Sequence, residues 1–216
     1  VAIIEHLDEI APVDLQIGSV NTVVREGGRL LGSGSDGPGA RMALEDSGVT
    51  LADQPVLLLG SGGAARAIAF DLTHHARPSS LAILGVIEEE LRGLVRDLSA
   101  KTGVPVQGEM LTPETLARQV AAARVLIHAT PIGMHPRVGE SLVPPALLHP
   151  ELAVMDVVYN PYRTRLLEDA AARGLKTISG VEMFVNQALF QFELWTGQTA
   201  PKALLRQVVL EQLTGS

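Results

Sequence analysis

Cysteine is absent from the 216 residues, which excludes a disulfide framework and thiolate chemistry. Aromatic residues are scarce, four Phe, two Tyr and one Trp, too few for the stacking platforms that hold single-stranded nucleic acid. Positive charge is also short: 17 Lys and Arg face 24 Asp and Glu, a net −7. No basic cluster interrupts the chain, so no nucleic-acid partner is expected. No apolar run reaches the roughly 18 to 20 residues that span a bilayer, and the opening VAIIEHLDEI carries acids where a signal peptide carries bases. No membrane partner and a cytoplasmic location are therefore expected. His74, His75 and His128 lack metal-ligand spacing with any acid, read as structural, and predict no metal.

What is present is a globular composition, 46% hydrophobic and 19% charged with mean hydropathy +0.24. From residue 55 onward, short and nearly continuous apolar runs occupy 55–60, 80–85, 105–110, 124–130, 152–158 and 175–179. Such runs suit strands buried on both faces of a parallel sheet. Helix-like segments at 64–76, 88–103, 112–123 and 161–174 alternate with them, with Thr112 as an N-cap and Pro113 at the first helical position. The alternation predicts an α/β fold with a doubly wound parallel sheet. Residues 1–50 stand outside that pattern. They predict a helix over 3–12, a strand around 16–24, a turn at Glu26-Gly27-Gly28, a glycine-dense segment at 32–39 and a helix over 40–48. Two helices, 181–197 and 201–213, close the chain.

The strongest local signal is Gly60-Ser61-Gly62-Gly63-Ala64-Ala65, which ends the first apolar run and opens a helix. Its spacing fits G-x-G-x-x-G/A, where backbone N–H groups and a helix N-terminus meet a pyrophosphate; a tight turn with close helix packing is the alternative. The second strand ends in Gly85-Val86-Ile87 followed by Glu88, Glu89 and Glu90, with no Arg between Arg77 and Arg92. A 2′-phosphate clamp is unsupported there, and the acidic run also reads as a solvated first helical turn. Asp36 lies in a flexible segment that either presents a carboxylate to a ligand or makes a turn. Gln187 is polar on an otherwise apolar helical face, and either meets a ligand or caps neighbouring backbone. Asn21, Ser35, Thr130, Asp156 and Tyr159 complete a scatter of polar residues in apolar or turn settings.

Taken together, GSVNTV (18–23), SDG (35–37), LLLGSGGAARA (57–67), ATPIGM (129–134), DVVYNPYRT (156–164), GVEMFVNQA (180–188) and FELWTG (192–197) resemble the shikimate dehydrogenase family. The resemblance implies a Rossmann domain binding NADP or NAD plus part of a smaller α/β substrate-binding domain. The corresponding division is 1–40 as a remnant of the substrate domain, 41–190 as the dinucleotide domain and 191–216 as helices returning toward the substrate domain. It implies interconversion of 3-dehydroshikimate and shikimate, or a close analogue such as quinate, by hydride transfer. Asn21, Ser35, Asp36, Tyr159 and Gln187 would meet the shikimate-like substrate, with Asp36 catalytic. Gly60, Ser61, Gly62, Gly63, Ala64, Thr130, Val157 and Gly180 would meet the cofactor, and a homodimer is compatible with the family.

Departures from the family pattern sharpen these expectations. The family's N-T-D reads Gly34-Ser35-Asp36, its N-R-T reads Gly85-Val86-Ile87, and the Asn before A-T-P is His128. NADP is therefore expected to exceed NAD by no more than roughly tenfold, about 1.4 kcal/mol; a larger preference would point to Arg92 as the phosphate ligand. The family's catalytic Lys, about 21 residues before Asn21, would fall immediately ahead of Val1. A non-catalytic metabolite- or dinucleotide-binding relative is the alternative. Other two-domain Rossmann enzymes, such as methylenetetrahydrofolate dehydrogenase or glutamyl-tRNA reductase, fit the C-terminal NQA and FELWTG stretches less well.

Overall fold

The computed structural model describes residues 2–215; Val1, with the expectation attached to it, lies outside them. The six apolar runs pair into one fully parallel sheet: β4 (Pro55–Leu59), β5 (Ser80–Gly85), β6 (Val106–Met110), β7 (Val125–His128), β8 (Ala153–Asp156) and β9 (Lys176–Ile178), in the order β6-β5-β4-β7-β8-β9. Alternate residues of one strand serve opposite faces. Val56 and Leu58 of β4 join the core beneath α3 (Gly63–Asp71) and α4 (Glu88–Lys101), while Leu57 and Leu59 join the core beneath α5 (Pro113–Ala122) and α6 (Arg165–Ala172). With both faces of the inner strands covered, period-two amphipathicity vanishes and they read as apolar runs, while the edge strands β6 and β9 stay partly exposed. The order reverses between β4 and β7, opening a crevice at their C-terminal ends.

Helix boundaries follow local chemistry. At α5, Thr112 accepts from Thr115 N–H, and Thr115 Oγ1 accepts in return from Thr112 N–H, with Pro113 first in the helix. The segment expected to be helical from 161 starts at Arg165, because Thr164 is the N-cap and accepts from Leu167 N–H. Helix α3 continues into a π-helical turn over Leu72–Ala76.

The N-terminal expectations need correction. Residues 3–12 do not form one helix: a 3-10 turn (Ala2–His6) leads to the short strand β1 (Glu9–Ile10), and α1 (Pro12–Ile17) starts only at the proline. The expected strand is β2 (Thr22–Glu26), and the unanticipated β3 (Arg29–Ser33) pairs antiparallel with it and parallel with β1, giving the order β1-β3-β2. Helix α2 (Asp36–Asp46) starts four residues earlier than expected, so the 40/41 division falls inside it. Finally, α7 (Gly180–Thr196) and α8 (Lys202–Thr214) pack together over Val181, Val185 and Leu189, and the 190/191 division falls inside α7. Among the described residues, no helix is long and apolar enough to cross a membrane.

Candidate active site

Helices α2 and α7 approach unusually closely, and the sequence permits it through Gly39, where an added Cβ would lie 2.8 Å from Gln187 Cγ and 3.1 Å from Met183 O. That contact brings Asp36, in the first turn of α2, against Gln187 in the middle of α7. Gln187 Nε2 and Asn21 Nδ2 both donate to Asp36 Oδ1, the latter at 3.0 Å. Asn21 is itself anchored: its Oδ1 accepts from Thr22 Oγ1 at 2.9 Å, Ser35 N–H at 3.0 Å and Ser35 Oγ at 3.2 Å. Among the described residues nothing donates to Asp36 Oδ2, so one carboxylate oxygen is oriented and the other is free. Burial raises the Asp36 pKa above the usual carboxylate range, and the Asn21 and Gln187 hydrogen bonds lower it in part.

Three of the five expected substrate residues thus converge: Asn21, Asp36 and Gln187. Ser35 is different, because it is fully buried and its hydroxyl and N–H both serve Asn21, so it positions rather than contacts a ligand. Tyr159 stacks on Phe184 with ring centroids 5.0 Å apart and planes 19° apart. No hydrogen bond joins it to the Asp36 group among the described residues. Gln187 meets a carboxylate and does not cap backbone. Asp14, unforeseen, holds the segment from below. Its carboxylate accepts from Gly34 N–H at 2.8 Å, and an added Cβ at residue 34 would lie 2.5 Å from its Oδ1, which explains glycine there.

The second half of the site is a cleft of about 340 Å³ at the β4/β7 crevice, lined by Gly60, Ser61, Gly62, Val86, Ile87, Glu90, Thr130, Ile132 and Arg137, among others. Gly60 has φ +116°, and an added Cβ would lie 2.4 Å from Ala129 O, so the strand-to-helix turn admits only glycine. Gly62 and Gly63 face open space at the start of α3, where N–H groups without intrahelical partners and the helix dipole favour a pyrophosphate; Ala64 follows in the same first turn. The residues therefore fit a dinucleotide. Thr130 is fixed by a buried relay: Asp156 Oδ1 lies 2.8 Å from His128 Nδ1, and His128 Nε2 lies 2.5 Å from Thr130 Oγ1. Asp156 also accepts from Thr164 Oγ1 at 2.6 Å and Val158 N–H at 3.0 Å. Val157 and Gly180 touch, since an added Cβ at residue 180 would lie 2.4 Å from Val157 O. That contact pins the first turn of α7 to the end of β8. Neither Val157 nor Gly180 lines the cleft itself; Gln187 lies seven residues further along α7, about 10 Å at 1.5 Å per residue, so this helix connects the Asp36 carboxylate to the end of β8, beside β7.

Comparison with known proteins gives this geometry a family. The family description "Shikimate 5'-dehydrogenase C-terminal domain" matches residues 180–210. The chain is 40% identical over 205 residues to a shikimate dehydrogenase (NADP(+)) of Dehalococcoides mccartyi, covering 95% of this chain and 71% of that protein. It belongs to the shikimate dehydrogenase family. Among solved structures, the shikimate 5-dehydrogenase of Listeria monocytogenes in complex with shikimate and NAD superposes with a TM-score of 0.91 at 32% identity, covering 96% of this chain and 73% of that one. The ligand-free 5-ketofructose reductase of a Gluconobacter strain superposes at 0.89, also at 32% identity, over 98% and 75%.

Two charged residues of α4 in this shikimate dehydrogenase family member sit differently. Arg92, to which only a large NADP preference would point, is bound to Glu88 at 2.6 Å, and both line a separate depression with Val95, Arg96 and Gly108. The acidic run is the exposed first turn of α4, as one of its two readings had it, and Glu90 also lines the cleft, where it accepts from Ser61 Oγ at 3.5 Å. Sequence alone offers only its spacing, two residues beyond Glu88 on a helix, as a signal that it leaves Arg92's face.

Proposed function

We propose that this protein interconverts 3-dehydroshikimate and shikimate, or a close cyclohexane or cyclohexene carboxylate analogue such as quinate, by hydride transfer with NAD(P). The observation that carries the reading is the half-buried Asp36 carboxylate held by Asn21 and Gln187, in a chain whose β4/β7 crevice carries a glycine turn that fits a dinucleotide. Residues 2–35, built on the three-stranded sheet, form the substrate side. Residues 36–190, with the six-stranded sheet, form the dinucleotide side. The last helices return, Gln191 donating to Thr22 Oγ1 at 3.1 Å and Trp195 Nε1 to Val23 O at 3.2 Å.

The dinucleotide, when bound, supplies or takes up the hydride. The Gly60–Ala64 turn would hold its pyrophosphate, Thr130 would line its path, and Val157 and Gly180, in contact at the end of β8, would lie toward the nicotinamide. Asn21 and Gln187 hold Asp36 by Oδ1 and direct Oδ2 at the reacting hydroxyl. A half-buried carboxylate with raised proton affinity accepts that hydroxyl's proton as the hydride departs, and returns it in the reverse direction. Their remaining amide hydrogens are donors for neighbouring ring hydroxyls. A polyhydroxylated ring needs several such convergent partners, because each buried hydroxyl left unpaired costs about 1–3 kcal/mol.

The test is nicotinamide absorbance on mixing the full-length gene product with shikimate or quinate and either dinucleotide. Turnover of one of the two substrates is expected. Calorimetric binding of shikimate with no turnover of either would replace the enzyme by a non-catalytic binding relative.

A further inference from the structure

The rim of the dinucleotide cleft carries opposed charges, and their positions bear on which dinucleotide it takes; the argument rests on the dinucleotide reading above. The Gly60–Gly63 turn meets the pyrophosphate, and the exposed Val86 and Ile87 beyond β5 offer apolar surface for an adenine. The ribose joins those two groups, so its 2′ position falls at the corner between the Ser61 turn and the start of α4. Glu90 occupies that corner, within hydrogen-bond reach of Ser61 Oγ. The corner is tight: a Cβ added at Gly85 would lie 3.0 Å from Ser61 Oγ and 3.3 Å from Leu91 Cβ.

The cations on this side of the cleft are already engaged. Arg66 donates Nη2 to Asp97 at 2.8 Å and to Gln16 O at 3.0 Å, and Nε to Ile17 O at 2.6 Å. Arg96 is paired with the same Asp97 at 3.3 Å, and Arg92 with Glu88 at 2.6 Å. Arg137 alone lines the cleft without a side-chain partner among the described residues, and it stands in the loop after β7, outside α3 and α4. A 2′-phosphate would bring a charge of about −1.5 to −2 at neutral pH beside Glu90, with the arginines of α3 and α4 already engaged and Arg137 the one alternative.

We infer that Glu90 accepts the ribose 2′-hydroxyl and makes NAD, rather than NADP, the preferred dinucleotide of this chain. A carboxylate is a strong acceptor for a vicinal diol and a repulsive neighbour for a phosphate. This separates the chain from relatives whose names specify NADP(+), although it is about 40% identical to them.

Calorimetric titration of the full-length protein with NAD+ and with NADP+, without substrate, tests it. The wild type should bind NAD+ at least tenfold more tightly, equivalent to about 1.4 kcal/mol. Glu90→Gln should narrow the ratio and Glu90→Arg should reverse it, while Arg137→Ala leaves the order unchanged; the exposed position of Glu90 keeps these variants foldable, as thermal melts would verify. NADP+ binding as tightly as NAD+ or more tightly in the wild type overturns the inference. If Arg137→Ala then abolishes that preference, the 2′-phosphate belongs to Arg137. Failure of both dinucleotides to bind would instead overturn the dinucleotide reading, and this inference with it.

Discussion

Burial raises the proton affinity of Asp36, while the amides of Asn21 and Gln187 lower it, and burial is the larger effect. The carboxylate is thus kept ionisable but reluctant, which suits a group that must take a proton and give it back. Asp36→Asn separates that role from structure. An Asn at this position keeps an Oδ1 that accepts from Asn21 and Gln187, so the α2–α7 contact survives, while the proton acceptor is gone. The expected result is a loss of about 10²- to 10⁴-fold in kcat, with dinucleotide affinity unchanged and a melting temperature at neutral pH equal to or above that of the wild type. A kcat within a few-fold of the wild type would show that Asp36 binds substrate without moving its proton. His128 shows the same economy at a buried site, where a ring between Asp156 and Thr130 uses both nitrogens.

At the scale of elements, the site depends on how closely α2 can lie against α3 and α7. Gly37 faces α3, where an added Cβ would lie 2.6 Å from Asp71 Cβ and 2.7 Å from Ala67 O, and Gly39 faces α7. Gly39→Ala therefore forces α7 or Gln187 to move by several tenths of an ångström. Overpacking of this kind costs about 1–3 kcal/mol, and it acts on the residue that orients Asp36. A raised KM for the ring substrate with little change in dinucleotide affinity is expected, read from initial rates and calorimetry; equal losses in both would show that α7 moves as a whole. The elements themselves were unevenly visible in the sequence. Strands β4, β5, β7 and β8 were legible because burial on both faces leaves continuous apolar runs, whereas the edge strands β6 and β9 are partly exposed and carry polar residues; α7 was legible because Gly197 marks its stop. Strand β3, ending Leu-Gly-Ser, was lost among glycines, and β1 has only two residues flanked by 3-10 and α-helical turns, too short for any period to show. Asn21, Asp36 and Gln187 stood out as polar residues in apolar or flexible settings. That Gln187 meets Asp36 across 151 residues is tertiary information, and so is the support of Gly34 by Asp14.

For the whole molecule, two buried or part-buried carboxyls tie stability to pH in the direction opposite to salt-bridged acids. Asp14 and Asp36 both have pKa values raised chiefly by burial, and the charges of Asp71 and Asp36 raise Asp14 further against the lowering effect of Gly34 N–H. A carboxyl whose folded pKa lies above its unfolded value favours folding below the unfolded value. That contribution is lost as pH rises through the folded value, so at neutral pH both groups weaken the fold. For Asp36 the weakening accompanies a chemical role; for Asp14 it accompanies only the hydrogen bond to Gly34, which an Asn oxygen can also accept. Asp14→Asn should therefore melt at a higher temperature than the wild type at neutral pH. The difference should shrink as pH falls toward the ordinary carboxylate range, where Asp14 becomes protonated and neutral as well. Thermal unfolding measured across that interval checks it. A gap that stays constant with pH would mean that ionisation of Asp14 does not set it, and one of reversed sign at neutral pH that the Asp14 charge helps to hold the Gly34–Asp36 segment.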